Sequence, residues 1–353
     1  MKDARVLVSD LRVRYRARAG WFRPAGKDVR AVDGVSLAVG KGETLALVGE
    51  SGCGKTTLGR ALVRLVEADA GEILFVPDDP ADPAVERVLR DSRSPARRIL
   101  PDGRAAVDVR RVRGADLRRL RRRLQIVFQD PYGSLDPRMT AGAILAEPLA
   151  VHRIARGRAR GEEVDRLFER VGLRADVRQR YPHEFSGGER QRIGIARALA
   201  LRPSFVVLDE PLSALDVSVQ AQILALLRDL QGSERLSYLF ISHDLAVVRS
   251  LAQRAAVMYL GEIVEEGPVR RLFEEPLHPY TKALLSAVPV PDPETRRPVL
   301  LLSGEPPSAA SPPPGCRFHP RCPVAEARCR TEVPAPRTPE AGRSVTCHLV
   351  EGE

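Results

Sequence analysis

The chain has 353 residues, 43% of them hydrophobic, which suits one large α/β domain with an appendage. No apolar run approaches the ~18 residues that span a bilayer, and the first residues carry no long apolar stretch of the secretory type. The net charge is +10, but the arginines are scattered and only 5% of residues are aromatic, which argues against nucleic acid as a partner.

The first informative element is a predicted strand, glycine-rich loop and helix. Residues 49–56, with sequence GESGCGKT, fit the phosphate-cradling pattern G-x-x-x-x-G-K-[ST] between two apolar runs. Glycines let backbone N–H groups surround an anion, and the following helix adds its positive end. We expect Lys55 to reach the β- and γ-phosphates and Thr56 to ligate Mg²⁺. The alternative is a glycine-rich turn without a ligand, but the flanking strand and helix patterns favour a nucleoside triphosphate. The expected binding residues here are Gly49, Glu50, Ser51, Gly52, Cys53, Gly54, Lys55, Thr56 and Thr57.

Residues 77–111 interrupt the alternation of strand and helix patterns. They begin with prolines and aspartates and continue with many arginines. This composition predicts a solvated, partly disordered insertion. A regulatory contact is the alternative.

A second anion site is predicted at residues 186–189. Ser186, Gly187 and Gly188 precede a helix-like apolar pattern. Ser186 can cap this helix, and the glycines expose backbone N–H groups.

The apolar run FVVLDE at residues 205–210 is a predicted strand that ends in two carboxylates. Asp209 can hold Mg²⁺ through its hydration shell, and Glu210 can polarise a water for in-line attack on the γ-phosphate. The alternative is a strand whose end happens to be acidic. The glycine-rich loop upstream favours the catalytic interpretation.

Together these motifs resemble those of the ATP-binding subunits of ABC transporters, over roughly residues 5–290. In that family the signature motif, here Ser186, Gly187, Gly188 and Glu189, completes the γ-phosphate site of a partner subunit. The resemblance therefore implies two ATP molecules held in a head-to-tail dimer. Glu189 stands where the family usually has glutamine, which places a carboxylate near phosphates, and Arg190 and Arg192 could offset its charge.

The resemblance also implies roles for residues that are uninformative alone. Gln129 is similar to the loop glutamine that senses Mg²⁺ and the attacking water. Ser213 and Asp216 resemble the loop that links the two active sites of the dimer, and His243 resembles the histidine that holds the γ-phosphate.

Tyr15 follows an alternating strand pattern and is the expected stacking partner of adenine. Trp21 and Phe22 are alternatives, because an insert separates Tyr15 from the next strand pattern. The other alternative is that Tyr15 only packs a small β-subdomain.

Residues 31–36, 125–138 and 278–285 resemble the oligopeptide and dipeptide importer branch. This implies a partner ATPase, either a related paralogue or a second copy, two membrane permeases and an extracytoplasmic solute-binding protein, with the chain at the cytoplasmic face of the membrane. Nickel or another small solute is an alternative cargo, and an exporter motor is an alternative function. DNA-repair ABC proteins would show long heptad repeats between the glycine-rich loop and the signature, and none is visible in this sequence. Translation-type ABC factors would carry two cassettes, whereas this chain has one set of motifs, so both classes are disfavoured.

Beyond residue 290 the chain is rich in proline and carries four of its five cysteines. In a reducing cytosol, clustered thiols are more plausibly metal ligands than disulfides. The spacing is longer than in most zinc sites, which favours a [4Fe–4S] cluster, and the importer branch implies the same cofactor. Dispersed thiols without function and a mixed site with His319 or His348 are the alternatives. The candidate ligands are Cys316, Cys322, Cys329 and Cys347.

Predicted strands at 45–48, 124–128, 205–208 and 238–241 alternate with predicted helices at 56–66, 190–201, 217–230 and 244–252, so the predicted fold class is α/β. We expect a P-loop core with a mostly parallel sheet, a small antiparallel β-subdomain and a helical subdomain carrying the signature at about residues 138–190. The predicted domains are an ATPase domain over 1–290 and a C-terminal extension over 291–353.

Overall fold

The computed structural model describes residues 3–16, 28–287, 300, 302 and 304–351. The strands, in chain order, are β1 Ala4–Tyr15, β2 Val29–Gly40, β3 Thr44–Val48, β4 Ala70–Phe75, β5 Arg97–Ile99, β6 Ala105–Asp108, β7 Leu124–Val127, β8 Phe205–Asp209, β9 Ser237–Ile241, β10 Arg254–Tyr259, β11 Glu262–Pro268, β12 Arg337–Glu340 and β13 Arg343–Val345. The α-helices are α1 Lys55–Leu62, α2 Glu86–Arg90, α3 Gly114–Leu120, α4 Ala141–Val151, α5 Gly157–Arg170, α6 Gly187–Leu199, α7 Val217–Glu234, α8 Leu245–Leu251, α9 Val269–Glu274 and α10 Pro279–Ser286. Short 3-10 helices occupy Ala175–Gln179, Pro182–Glu184, His319–Arg321 and Ala327–Arg330.

The larger sheet has eight strands in the order β12-β13-β11-β10-β3-β9-β8-β7. The five strands from β10 to β7 are parallel, and the other three extend the sheet in antiparallel fashion. β3, β8 and β9 are buried along their whole length, which explains why their sequences are continuous apolar runs. The predicted α/β class with a mostly parallel sheet is confirmed. Because these strands are parallel, the carboxyl ends of β3, β7, β8 and β9 share one edge.

The predicted helices at 56–66, 190–201, 217–230 and 244–252 correspond to α1, α6, α7 and α8. α1 ends four residues earlier than predicted, and α7 continues to Glu234. Residues 138–190, where the sequence predicts a helical subdomain, contain α4, α5 and the start of α6. These helices pack through fully buried side chains such as Leu145, Phe168 and Ile193.

The smaller sheet is antiparallel, with strand order β2-β1-β4-β6-β5. Two of its strands, β5 and β6, lie within residues 77–111. The prediction of a solvated, partly disordered insertion there is wrong. Val85 and Val88 join the core beneath the sheet, and Val107 is fully buried. Ion pairs of Arg98 with Glu72 and Asp108 accommodate part of the charge that suggested disorder.

Residues 304–351, called the C-terminal segment below, pack against the larger sheet. β13 pairs with β11, and β12 pairs with β13. Phe318 is buried against the rings of Tyr259 and Tyr280, with centroids 5.2 and 5.4 Å away. The boundary predicted at residue 290 lies outside the described residues. In the described part of the chain, no helix combines the length and the apolar character needed to cross a bilayer.

Candidate functional site

A cavity of about 550 Å³ opens at the edge where the parallel strands end. The structure brings ten of the predicted nucleotide-binding and catalytic residues to it, although they are up to 228 positions apart in the sequence, from Tyr15 to His243. Its lining residues are Tyr15, Val29, Ala31, Ser51, Gly52, Gly54, Lys55, Thr56, Thr57, Gln129, Glu210, His243 and Ala309.

The glycine-rich loop joins β3 to α1. Two of its glycines have positive φ and lie against backbone, so that a Cβ on Gly49 would sit 2.2 Å from the Met258 carbonyl oxygen and one on Gly54 would sit 2.0 Å from that of Ala31. Neither position can hold a larger residue without moving the chain. The Nζ of Lys55 donates to the carbonyl oxygens of Gly49 at 2.7 Å and Glu50 at 2.9 Å. Its ammonium is therefore held by the loop itself, next to the backbone N–H groups that can receive phosphate.

Thr56 and Asp209 meet beneath this loop. The Thr56 hydroxyl donates to Asp209 Oδ1 at 2.8 Å. Asp209 is fully buried, and burial raises the pKa of its carboxyl while the bond from Thr56 opposes that rise. The other oxygen, Oδ2, is buried without a hydrogen-bond partner. A buried carboxylate oxygen with unused capacity beside a hydroxyl is a donor set that suits Mg²⁺.

Glu210 follows Asp209 but faces the opposite way. Its φ of 45° is left-handed, which is unusual for a residue with a side chain. The carboxylate reaches the cavity, where Oε2 accepts from Gln129 Nε2 at 3.0 Å and lies 3.3 Å from His243 Nδ1. The three predicted catalytic residues, Glu210, Gln129 and His243, are therefore in contact with one another through the Glu210 carboxylate.

The Ser213–Asp216 loop connects this group to α7. Ser213 donates its hydroxyl to the Glu210 carbonyl oxygen at 3.1 Å. Asp216 caps α7 by accepting from the Val219 N–H at 2.9 Å, and that bond lowers the pKa of the Asp216 carboxyl. Neither residue lines the cavity described above, and of the two only Ser213 is hydrogen-bonded to Glu210.

Tyr15 stands at the rim of the cavity. Its side chain is 45% exposed, and its hydroxyl lies 3.3 Å from Thr57 Oγ1. Val29 and Ala31 of β2 form the adjoining apolar wall. An open aromatic face beside the loop suits stacking on a base. The alternative residues Trp21 and Phe22 lie outside the described residues.

The signature residues lie apart from this cavity. Ser186 caps α6 in a capping box, in which its Oγ accepts from the Glu189 N–H at 3.3 Å and the Glu189 carboxylate accepts from the Ser186 N–H at 2.8 Å. The Ser186 N–H and hydroxyl both donate to the Glu189 carboxylate, and these two bonds lower the pKa of Glu189. The direct partner of Glu189 is therefore Ser186 rather than Arg190, whose guanidinium bonds to the Pro182 carbonyl oxygen.

The predicted metal ligands are four free cysteines of the C-terminal segment. Burial, together with the charges of the other three, raises the pKa of the Cys316 thiol to about 11, so the four lie within electrostatic reach of one another. Across residues 3–16, 28–287 and 304–351, however, no three His, Cys, Asp or Glu side chains converge closely enough to share a metal ion. The structure thus gathers Cys316, Cys322, Cys329 and Cys347 in one segment without forming a ligand cage.

Sequence reasoning missed three residues that line the nucleotide-sized cavity. Val29 and Ala31 are short apolar residues of β2, and Ala309 comes from the C-terminal segment. The alternation of β2 could have indicated the first two. No local pattern marks Ala309, because only tertiary packing carries it to the cavity.

Two family models match the chain. The model for ABC transporters covers residues 32–213, just over half of the chain. The model for the oligopeptide/dipeptide transporter C-terminal region covers residues 264–329.

Curated relatives are similar along nearly their full length. The probable peptide ABC transporter ATP-binding protein y4tS of Sinorhizobium fredii is 49% identical over 99% of this chain and 91% of its own. The oligopeptide transport ATP-binding protein AppF of Bacillus subtilis is 46% identical over 97% and 96%. The di/tripeptide transport ATP-binding protein DppF of Pseudomonas aeruginosa is also 46% identical over 97% and 96%.

Solved structures share the fold. The dimeric ATP-binding cassette MJ0796, in a post-hydrolysis state bound to ADP and Pi, has a TM-score of 0.59 at 24% identity, covering 75% of this chain and 99% of that one. CbiO1 of Clostridium perfringens, part of an ABC transporter complex, has a TM-score of 0.58 at 23% identity, covering 77% and 92%.

Proposed function

Because the chain belongs to the ABC transporter family of ATP-binding proteins, we propose that it powers an importer of oligopeptides or dipeptides by hydrolysing ATP. The observation that supports hydrolysis is the convergence of Lys55, Thr56 and Glu210 on one cavity, with the buried Asp209 bonded to Thr56. The peptide cargo is supported by relatives whose names specify peptides and whose similarity includes the C-terminal segment.

The proposed reaction is in-line attack of water on the γ-phosphate. Glu210 takes the water's proton, Gln129 orients that carboxylate, and His243 holds the γ-phosphate. Lys55 leaves the loop carbonyls to balance charge on the phosphates. Mg²⁺, held by Thr56 and Asp209 with Gln129 nearby, would supply further neutralisation of phosphate charge when bound.

The remaining nucleotide contacts follow from the cavity. Backbone N–H groups of residues 51–57 receive the phosphates, and Tyr15 stacks on adenine. These assignments rest on the lining residues and on the position of Tyr15 beside Thr57.

The signature acts on a second subunit in this proposal. Ser186 and Gly187 are exposed at the N-terminus of α6, away from the chain's own cavity, so only another subunit can bring phosphate to them. The dimeric cassette with the same fold supports this arrangement. Closure on ATP and opening after hydrolysis would then move two permeases, with solute delivered by a separate binding protein at the outer face. The chain would work at the cytoplasmic face of the membrane.

Hydrolysis is tested by Glu210→Gln. The variant should bind ATP normally but lose turnover by at least about 10²-fold, since it lacks the general base. It should also form an ATP-dependent dimer, measured by sedimentation. Glu332→Gln, whose carboxylate is exposed and remote from the cavity, is the matched control. Turnover of Glu210→Gln equal to that of the control would remove Glu210 from its role.

A [4Fe–4S] cluster at the four cysteines is a further part of the proposal. Four free cysteines in one segment support it, and among the residues that the structure describes they do not converge as a ligand group, so the test below decides. Protein purified without oxygen should contain iron and labile sulfide and absorb visible light, and Cys316→Ser should lose both elements. Zinc alone, or no metal, would contradict the cluster.

A further inference from the structure

Glu50, in the glycine-rich loop, is held by two elements from the far end of the chain. Its N–H donates to the hydroxyl of Tyr280 on α10 at 2.9 Å. Its carboxylate accepts from Nη1 of Arg321, in the C-terminal segment, at 2.8 Å. Tyr280 is fully buried, and the side chains of Arg321 and Glu50 are 8% and 26% exposed, so both contacts approach the loop from its protein side.

The support for Arg321 is itself rigid. Arg321 is the last residue of the short helix His319–Arg321, and Phe318 immediately precedes this helix. Phe318 is buried between the rings of Tyr259, Tyr280 and His278. The guanidinium is therefore positioned by packing rather than by a mobile loop.

Three more contacts join the C-terminal segment to the elements around the same cavity. Arg317 pairs with Asp33 of β2 at 2.6 Å and with Glu262 at 2.9 Å. The Arg30 N–H donates to the carbonyl oxygen of Ala309, a residue that lines the cavity. The C-terminal segment thus touches both the glycine-rich loop and the β2 wall beside Tyr15.

The charge on Glu50 explains what this arrangement does. Glu50 is the one acidic residue between Gly49 and Thr57. Its field reaches the loop interior, where it contributes to the raised pKa of the Cys53 thiol, although burial is the larger cause. An unpaired carboxylate there would repel a triphosphate, and Arg321 supplies the compensating charge from behind the loop.

We propose that Arg321 is a positioning residue of the ATP site, which neutralises Glu50 and fixes the glycine-rich loop so that the loop can accept a triphosphate. The C-terminal segment is then a structural part of the nucleotide site. This inference rests on the proposed nucleotide role of residues 49–57.

The experiment measures binding of a non-hydrolysable ATP analogue to the full-length chain. Arg321→Gln should weaken binding about tenfold, or about 1.4 kcal/mol. Glu50→Gln removes the repulsive charge itself, so the loss of affinity caused by Arg321→Gln should be smaller in the Glu50→Gln background than in the unchanged chain. Arg330→Gln is the matched control, since this exposed arginine of the same segment makes no hydrogen bond or ion pair with any described residue.

The double variant Arg321→Gln/Glu50→Gln decides between electrostatics and damage to the fold. If Arg321 acts through Glu50, the double variant should recover most of the lost affinity, and Arg321→Lys should recover part of it. The KM for ATP should rise in Arg321→Gln while kcat at saturating ATP stays within about twofold. A double variant as weak as Arg321→Gln, or an Arg321→Gln that binds like Arg330→Gln, would overturn the inference.

Failure of the proposed function would look different. Lys55→Ala should abolish analogue binding whatever residue 321 is. If Lys55→Ala binds normally, the nucleotide site is elsewhere. If it does not bind while Arg321→Gln binds normally, only the role of Arg321 is refuted.

Discussion

Asp209 and Glu210 are sequence neighbours in opposite environments. Asp209 ends β8 fully buried, with one oxygen bonded to Thr56 and the other without a partner. The left-handed φ of Glu210 turns the next carboxylate into the cavity, beside Gln129 and His243. This backbone conformation costs energy for a residue with a side chain and is characteristic of functional sites. In the proposed reaction, the two adjacent carboxylates therefore serve two purposes, one for a metal and one for water.

His278 makes stability depend on pH. Burial, with a smaller contribution from Lys282, lowers the pKa of its ring to about 3. An exposed histidine takes up its proton near pH 6.5. Between pH 3 and 6.5, residue 278 is therefore protonated in the unfolded chain but neutral in the folded chain. Stability contributed by the neutral ring is therefore complete at pH 7 and is lost as the pH falls below about 6.5, by about 2 kcal/mol at pH 5.

The variant His278→Asn tests this pH dependence directly. The Tyr280 N–H donates a hydrogen bond to His278 Nδ1, and the asparagine side chain can accept that hydrogen bond instead. Urea unfolding at pH 7 and pH 5 should show that the variant loses about 2 kcal/mol less on acidification than the unchanged chain. His183→Asn, at an exposed histidine, should lose as much as the unchanged chain. Equal acid sensitivity of all three would show that His278 is not buried as a neutral ring.

Among the elements, those that could be predicted from sequence are the ones whose signal is local. β3, the glycine-rich loop and α1 follow each other without interruption, so apolar pattern, glycines and helix pattern all fall within 20 residues. β8 could also be predicted locally, because its apolar run leads directly into the carboxylate of Asp209. Ser186 could be predicted as a cap because its oxygen and its helix are adjacent in sequence.

The elements that could not be predicted depend on distant partners. The strands β5 and β6 are only three and four residues long, β6 is buried where it pairs with β4, and the partly exposed β5 pairs with β6. Their proline- and arginine-rich surroundings therefore resemble a disordered segment. Arg321 likewise has no local signal, since its partner Glu50 lies 271 positions away. The composition of a segment reports only its own residues, whereas the strand pairing of β6 and the bond between Arg321 and Glu50 depend on residues far away in the sequence.

At the scale of the whole molecule, one buried ion pair joins the C-terminal segment to the core. Arg343 of β13 pairs with Glu265 of β11 at 3.0 Å, and both side chains are almost fully buried. Glu265 also accepts the N–H groups of Leu277 and His278, so it links the sheet to the start of α10. Loss of Arg343 would leave a buried carboxylate without its countercharge. Such unpaired charges are costly even though the intact pair itself adds little.

We therefore expect Arg343→Gln to lower the free energy of unfolding by about 3–5 kcal/mol, whereas Arg330→Gln should change it by less than about 0.5 kcal/mol. Because β12 and β13 continue the main sheet, the loss should appear in the one transition that also unfolds β3 and α1, measured by circular dichroism in urea and by hydrogen exchange. A separate early transition confined to residues 304–351, with the core midpoint unchanged, would mean that this segment folds independently. The glycine-rich loop would then lose Arg321 before the core unfolds, and ATP binding should weaken in that same early transition.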